Sequence, residues 1–194
     1  MTGTLVTGTL RLVEYFDVAG DVNTRRTLEL AKARAEELGI TSFVVASTRG
    51  VSGLQAAECF HGSNVVIVRQ VTGYRDPNVQ EMPDEVLERL LKLGAKVHTA
   101  THGLGGLGRA VRNRYNTYQL DEIIAEALRM FGPGVKVACE VAAMAADAGL
   151  VRTDEDIISI AGGADSAIVL RPANVHRFFE TRVREIICEP RTWK

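Results

Sequence analysis

Apolar residues recur along this chain in two patterns that follow one another. In residues 22–38 they return at intervals of three and four positions, which predicts an amphipathic helix. Gly39 comes directly after this stretch, and glycine is the residue that most often ends a helix. The next run, residues 41–46, is apolar and rich in β-branched side chains, which predicts a buried strand.

The alternation continues towards the end of the chain. Helical spacing recurs at residues 51–62, from Pro83 onward, at 120–131 and at 137–150. Strand-like apolar runs recur at residues 64–69, 157–161 and 167–170, and we also predict a strand at residues 95–98. A partly alternating stretch at 178–187 predicts a last edge strand. Because helices and strands alternate at this spacing, we predict an α/β fold with a mostly parallel sheet and helices on both faces.

We interpret the 194 residues as one domain, because the length is typical of a single core and no linker divides it. The start of the chain, MTGTL-VTGTL, is a near-repeat of five residues that forms either a short strand or a loose tail. We therefore expect residues 1–11 to be a peripheral segment and residues 12–194 to be a single α/β domain.

Composition and charge narrow the classes of function. Lys and Arg together number 23 and Asp and Glu 24, so a net charge of -1 leaves no basic excess for binding nucleic acid. The chain has no apolar run long enough to cross a bilayer and no signal peptide at its start. We therefore expect no membrane partner. The three cysteines, Cys59, Cys139 and Cys188, are widely spaced, which indicates free thiols in the cytoplasm.

The loop after the first predicted strand holds the best candidate for a binding site. It combines three hydroxyl residues, two glycines and one arginine, namely Ser47, Thr48, Ser52, Gly50, Gly53 and Arg49. A predicted helix begins at this loop, so free backbone N–H groups and the helix dipole favour an anion there. The sequence therefore predicts a cradle of phosphate size; the alternative is an ordinary capped turn with solvated hydroxyl groups.

Other loops at the same predicted edge add candidates for lining a ligand. These are Gly73 beside Tyr74, then Thr101, His102 and Gly103, then Gly163 and Asp165. Each also has a purely structural interpretation, since Asp165 can cap a turn, His102 can be solvated and Gly73 can belong to a turn. We expect them to line the crevice beyond the carboxyl ends of the strands.

Familiar catalytic motifs are incomplete in this sequence. It lacks the GxxxxGK[ST] of a P-loop, and residues 50–54 lack the last glycine of the GxSxG of serine hydrolases. Residues 103–108 match GxGxxG, but no acid ends a following strand, so we favour a flexible lid or ligand-lining loop over NAD binding. His98 and His102 are four residues apart, a spacing that suits two ligands of one metal ion only on a helix. They lie at the end of a predicted strand and in the loop after it, so we predict no metal site.

Six segments resemble a known family: residues 15–24, 45–53, 101–103, 134–149, 160–165 and 185–190. The most specific is the run Val-Ala-Cys-Glu-Val-Ala-Ala-Met-Ala-Ala-Asp-Ala-Gly at residues 137–149. The chain resembles small stand-alone prokaryotic proteins that look like the isolated C-terminal α/β domain of pyruvate kinase. The likeness runs from about residue 12 to residue 190 and does not include the catalytic barrel of pyruvate kinase, so kinase activity is not implied.

The resemblance implies a three-layer α/β/α sandwich with a mostly parallel, five-stranded core sheet. It also implies that the loop from Ser47 to Gly53 holds a phosphate, and that the ligand is flavin mononucleotide (FMN), with no settled reaction. Two positions depart from the family: Arg49 replaces a small hydroxyl residue and Gly53 replaces alanine. Arg49 either strengthens phosphate binding or blocks it.

Two hypotheses about function follow. The first is a homo-oligomeric protein that binds a small phosphate-bearing ligand, FMN, at the carboxyl edge of its sheet. The second is a non-enzymatic sensor of a sugar phosphate or nucleotide that acts through oligomer contacts. The absence of paired carboxylates or an activated nucleophile favours the sensor, whereas an empty scaffold would bind neither ligand.

Overall fold

The computed structural model describes residues 8–193. The strands are β1 (Glu14–Phe16), β2 (Ser42–Ala46), β3 (Asn64–Arg69), β4 (Lys96–Thr99), β5 (Ile157–Ala161), β6 (Ser166–Arg171) and β7 (Arg182–Pro190). The α-helices are α1 (Thr24–Leu38), α2 (Val51–Cys59), α3 (Asp84–Lys92), α4 (Leu107–Tyr115), α5 (Leu120–Arg129) and α6 (Pro133–Asp147). Short 3₁₀ segments at Asp21–Asn23 and Val175–Glu180 complete the described part.

Among these residues, seven strands form one sheet in the order β1-β7-β6-β5-β2-β3-β4. Neighbouring strands are parallel except in the pairs β5–β6 and β6–β7. Among the described strands, β6 is therefore antiparallel to the other six. The α/β class is confirmed, but the predicted mostly parallel, five-stranded core is corrected to a mixed sheet with two additional strands, β1 and β7.

Helices cover both faces of this sheet. Successive side chains of a strand point to opposite faces, so Phe43 and Val45 of β2 belong to the same apolar cluster as Leu28 of α1. Val44, which lies between them, belongs to a second cluster with Val141 of α6. Both faces of β2 are therefore packed against helices, which explains why residues 43–46 are apolar without interruption.

The helix α6 lies unusually deep. Twelve of its fifteen residues are buried, and most of them are alanine or another small residue, which lets the helix axis approach the sheet closely. Two charged residues, Lys136 and Glu140, lie within this buried part. Within residues 8–193, α6 and the other helices are all too short or too polar to cross a lipid bilayer.

Several element boundaries differ from the predictions. The sequence analysis predicted neither β1 nor α4, and the first two residues of α4 belong to the stretch 103–108 that was expected as a loop. A last strand forms, as β7, over much of the predicted stretch 178–187, but it lies between β1 and β6, so its predicted place at the edge of the sheet is wrong. Of the near-repeat at the start of the chain, residues 1–7 lie outside the described residues. Arg11, which follows it, contacts Glu37 of α1 at 3.1 Å.

The chain path leaves a crevice between β2 and β5. From β2 the chain passes through α2 to β3 on one side of the sheet, whereas α6 on the other face leads into β5. At such a change of direction the connections diverge beyond the carboxyl ends of the strands, and ligands of open α/β sheets bind there.

Candidate functional site

A cleft of about 830 Å³ opens at this edge of the sheet. The carboxyl ends of β2 and β3, the turn after β5, the loop after β4 and one side of α6 form its walls. Of the predicted site residues, six line the cleft: Ser47, Thr48, Arg49, Ser52, His102 and Gly163. The volume lies within the range of about 300–1,000 Å³ that is usual for pockets of small ligands.

The loop between β2 and α2 has free backbone donors, four of them on residues that line the cleft, namely Thr48, Arg49, Val51 and Ser52. The N–H of Ser47 donates to the carbonyl of Val68, at 3.0 Å, and the N–H of Gly53 donates to Ser47 Oγ, also at 3.0 Å. The five intervening N–H groups, at residues 48–52, have no hydrogen-bond acceptor within residues 8–193. Because they include the first turn of α2, they lie at the positive end of its dipole.

The hydroxyl groups of this loop are partly engaged. Ser47 Oγ and Ser52 Oγ lie 2.9 Å apart, so one donates to the other, and Ser47 is only 5% exposed. Ser52 is half-buried and Thr48 is exposed. The protein's own contacts therefore occupy the Ser47 hydroxyl, while the loop amides remain available to a ligand.

The two glycines of the loop do not line the cleft. Gly50 has φ of +88°, and a Cβ there would lie 2.3 Å from Val86 Cγ1 of α3. A Cβ on Gly53 would lie 3.1 Å from Ile67 Cγ2 of β3. Close approach to neighbouring protein groups explains these glycines, which the sequence analysis placed in the phosphate cradle.

Positive charge is concentrated in the cleft. Six cationic side chains line it, Arg49, Arg69, Arg75, Arg109, Arg129 and Lys136, against three carboxylates, Asp21, Glu81 and Glu140. The lining therefore carries three net positive charges, with histidine neutral, in a chain whose net charge is -1. Within residues 8–193, Arg49, Arg69 and Arg109 make no ion pair. This field favours an anionic ligand.

A buried acid and base form the wall of the cleft on α6. Glu140 is 1% exposed; its Oε1 accepts a hydrogen bond from the N–H of Leu104 at 2.8 Å, and its Oε2 pairs with Lys136. Burial by itself would raise the pKa of the Glu140 carboxyl, but the contacts with His102, Lys136 and Leu104 outweigh it and hold the pKa at about 2. The carboxylate is thus ionised at neutral pH.

The Glu140 carboxylate also faces a predicted site residue. His102 Nδ1 lies 3.7 Å from Glu140 Oε1, and His102 Nε2 lies 3.1 Å from Gln70 Oε1. Tyr74, whose hydroxyl accepts a hydrogen bond from Arg109 at 2.8 Å, has its ring centroid 5.7 Å from that of His102. The sequence analysis missed Glu140; its spacing of four residues from Lys136 in an otherwise apolar helix is the signal that could have identified it.

The remaining predicted site residues lie elsewhere. Asp165 is 4% exposed and accepts hydrogen bonds from the N–H groups of Gly20 and Gly163, so it holds the turn between β5 and β6. Gly73 lies in an exposed turn, where its N–H donates to the carbonyl of Val79. Neither these two nor Thr101 and Gly103 are among the residues that line the cleft.

The other motifs also have places in the structure. Residues 103–108 lead into α4, and the helix α5 rather than a strand follows, unlike a dinucleotide-binding unit. His98 lies on β4, where burial lowers its pKa. In the part of the chain that the structure describes, no group of three or more His, Cys, Asp or Glu side chains could hold a metal ion.

A scan of the sequence against models of known protein families finds no match. The function must therefore be inferred from the cleft. Its free loop amides, its three net positive charges and its half-exposed His102 are the features that a ligand would meet.

Proposed function

We propose that this protein binds a phosphate-bearing ligand, flavin mononucleotide, in the cleft at the carboxyl edge of its sheet. The observation that carries the proposal is the row of five unpaired backbone N–H groups at residues 48–52 beside a lining of net positive charge. A phosphate dianion can accept several such hydrogen bonds at once, and the α2 dipole stabilises it further.

The cleft is large for a phosphate alone and suits a ligand of nucleotide size. In this proposal the loop from Ser47 to Gly53 holds the phosphate. His102, Gly163 and the ring of Tyr74 contact the rest of the ligand. The choice of FMN rests on the resemblance to stand-alone relatives of the pyruvate kinase C-terminal domain, which itself remains part of the proposal.

The substitution Ser52→Asp tests the phosphate cradle. An aspartate at the second position of α2 favours the helix but places a negative charge against the proposed phosphate. We expect the affinity for FMN to fall about 30-fold, which corresponds to ~2 kcal/mol. Fluorescence titration measures the loss, and Ser63→Asp, at the opposite end of β3, is the matched control.

Wild-type protein mixed with FMN at a hundredfold excess over Kd should gain about 2.7 kcal/mol of stability, which a thermal shift detects. The same shift in Ser52→Asp as in wild type would contradict the cradle. A thermal shift with a sugar phosphate but not with FMN would support the phosphate site and contradict FMN as its ligand.

The role of Arg49 has a separate test. Arg49 is exposed, lines the cleft and has no ion-pair partner within the described residues. We expect Arg49→Gln to weaken FMN binding about fivefold, or ~1 kcal/mol, at low salt and less at high salt, because ions screen an exposed charge. Lys32→Gln, an exposed position of α1 near Cys59 at the opposite end of α2, is the control. Tighter binding by Arg49→Gln would show that Arg49 obstructs the cleft.

A further inference from the structure

The imidazole of His102 lies between a buried carboxylate and a side-chain amide. Glu140 Oε1 is 3.7 Å from Nδ1, and Gln70 Oε1 is 3.1 Å from Nε2. A neutral imidazole carries one N–H and can donate to only one of them, whereas an imidazolium carries two. The carboxylate can therefore stabilise a proton added to the ring, whereas the Gln70 side-chain amide, with both a donor and an acceptor, can pair with either form.

The acceptor on α6 is held rigidly. Glu140 is 1% exposed, and its contacts with the Leu104 N–H and Lys136 fix both carboxylate oxygens. Since the pKa of this carboxyl is about 2, it keeps its charge when a nearby group titrates. It can stabilise a positive charge on the ring without taking the proton itself.

The other charged groups around His102 come from four elements. Lys136 on α6 pairs with Glu140 and so offsets part of the negative charge that the ring meets, and Arg69 at the end of β3 donates to Thr99 Oγ1. Arg109 on α4 donates to Tyr74, and Arg75 in the loop after β3 lies 3.5 Å from Glu81. With the cleft empty of anions, the arginines oppose a further positive charge on the ring; an anionic ligand would reverse that balance.

We propose that binding of an anionic ligand in this cleft is coupled to uptake of a proton by His102, with Glu140 as the positioning residue that fixes and stabilises the protonated ring. The proposal rests on the proposed function, since it needs a ligand in the cleft. The proton comes from solvent and adds to the ring nitrogen that lacks one. No bond of the ligand forms or breaks, and the ring gains one positive charge opposite the ligand's negative charge.

Calorimetric titration with FMN at pH 7.5, in buffers of different ionisation enthalpy, measures the number of protons taken up per ligand bound. A phosphate monoester is already dianionic at this pH, so its own proton contributes little. We expect wild type to take up a fraction of a proton, and His102→Gln to bind FMN more weakly with that uptake lost. His61→Gln, at an exposed position beyond the end of α2 that is opposite the cleft, should behave as wild type.

Glu140→Gln separates positioning from simple packing, because it keeps an acceptor for the Leu104 N–H and removes the charge. If Glu140→Gln folds, it should take up fewer protons per FMN bound than wild type. If Glu140→Gln does not fold, the proton uptake of His102→Gln alone tests the coupling. Binding with equal proton uptake in wild type and His102→Gln would overturn the coupling and leave the proposed function standing. Failure of wild type to bind FMN would overturn both.

Discussion

Glu140→Gln is expected to lower the free energy of unfolding by about 3–5 kcal/mol at pH 7, because it leaves a buried ammonium group without its carboxylate. Lys136 is 5% exposed, and its ion-pair partner within residues 8–193 is Glu140. The loss is a large part of a typical stability of about 5–15 kcal/mol. Urea denaturation followed by circular dichroism measures it.

A second variant distinguishes an unpaired charge from a general packing defect. Lys136→Met combined with Glu140→Gln removes both charges, and we expect it to be more stable than Glu140→Gln alone by about 2 kcal/mol. A double variant no more stable than Glu140→Gln would contradict the explanation by charge.

Acid should also remove the stabilising effect of Glu140. Its pKa of about 2 in the folded state lies below the ordinary value of 4.5, so its stabilisation is complete above pH 4.5 and is lost as the pH falls towards 2. The difference between wild type and Glu140→Gln should shrink over that range. A difference that stays constant from pH 6 to pH 2.5 would contradict the assignment.

Local patterns were sufficient to predict most of the fold. The five stretches predicted as strands are β2 to β6 in the structure. The apolar sequences of β2, β3, β5 and β6 reflect burial on both faces, whereas β4 is an edge strand without a fully buried residue. The strand β1 could not be predicted in this way, because it has three residues and pairs with β7 about 170 positions later. Such a pairing has no local signal.

One error was avoidable. The predicted runs at residues 157–161 and 167–170 are separated by only five positions, and a parallel connection needs a dozen or more residues. Their antiparallel pairing as β5 and β6 was therefore already required by the sequence. The mixed character of the sheet follows from that short turn.

The candidate site was predictable only in part. The loop after β2 was identified because its hydroxyl residues and glycines are contiguous in the sequence. The wall on α6 was not, since Glu140 meets His102 only through the packing of a helix across the sheet. The sequence also offered no means to tell that Asp165 is occupied by the protein's own N–H groups.

The second large effect concerns a buried carboxyl on β7, and here removal of the charge is expected to stabilise the protein. Glu189 is 2% exposed; its Oε1 accepts a hydrogen bond from Trp193 Nε1 at 3.1 Å, whereas its Oε2 has no partner within residues 8–193. Burial raises the pKa of this carboxyl to about 7; the neighbouring polar groups of Ser166 and Trp193 oppose the rise, and the negative charge of Asp165 adds to it.

The direction of the pH effect follows from this raised pKa. The ordinary value is 4.5, so between pH 4.5 and 7 the folded protein binds more protons than the unfolded chain, and stability falls as the pH rises. We expect Glu189→Gln, which resembles the protonated carboxyl in shape, to exceed wild type by about 3 kcal/mol in unfolding free energy at pH 8. The gain should vanish near pH 4.5.

Glu185→Gln on the same strand is the matched control with the opposite sign. The hydrogen bond from Arg34 lowers the pKa of the Glu185 carboxyl, so loss of its charge should destabilise the protein at pH 8. Denaturation curves of both variants at pH 5 and pH 8 therefore separate an unfavourable buried charge from a favourable paired one. A Glu189→Gln protein less stable than wild type at pH 8 would mean that the ionised carboxylate is compensated within the fold.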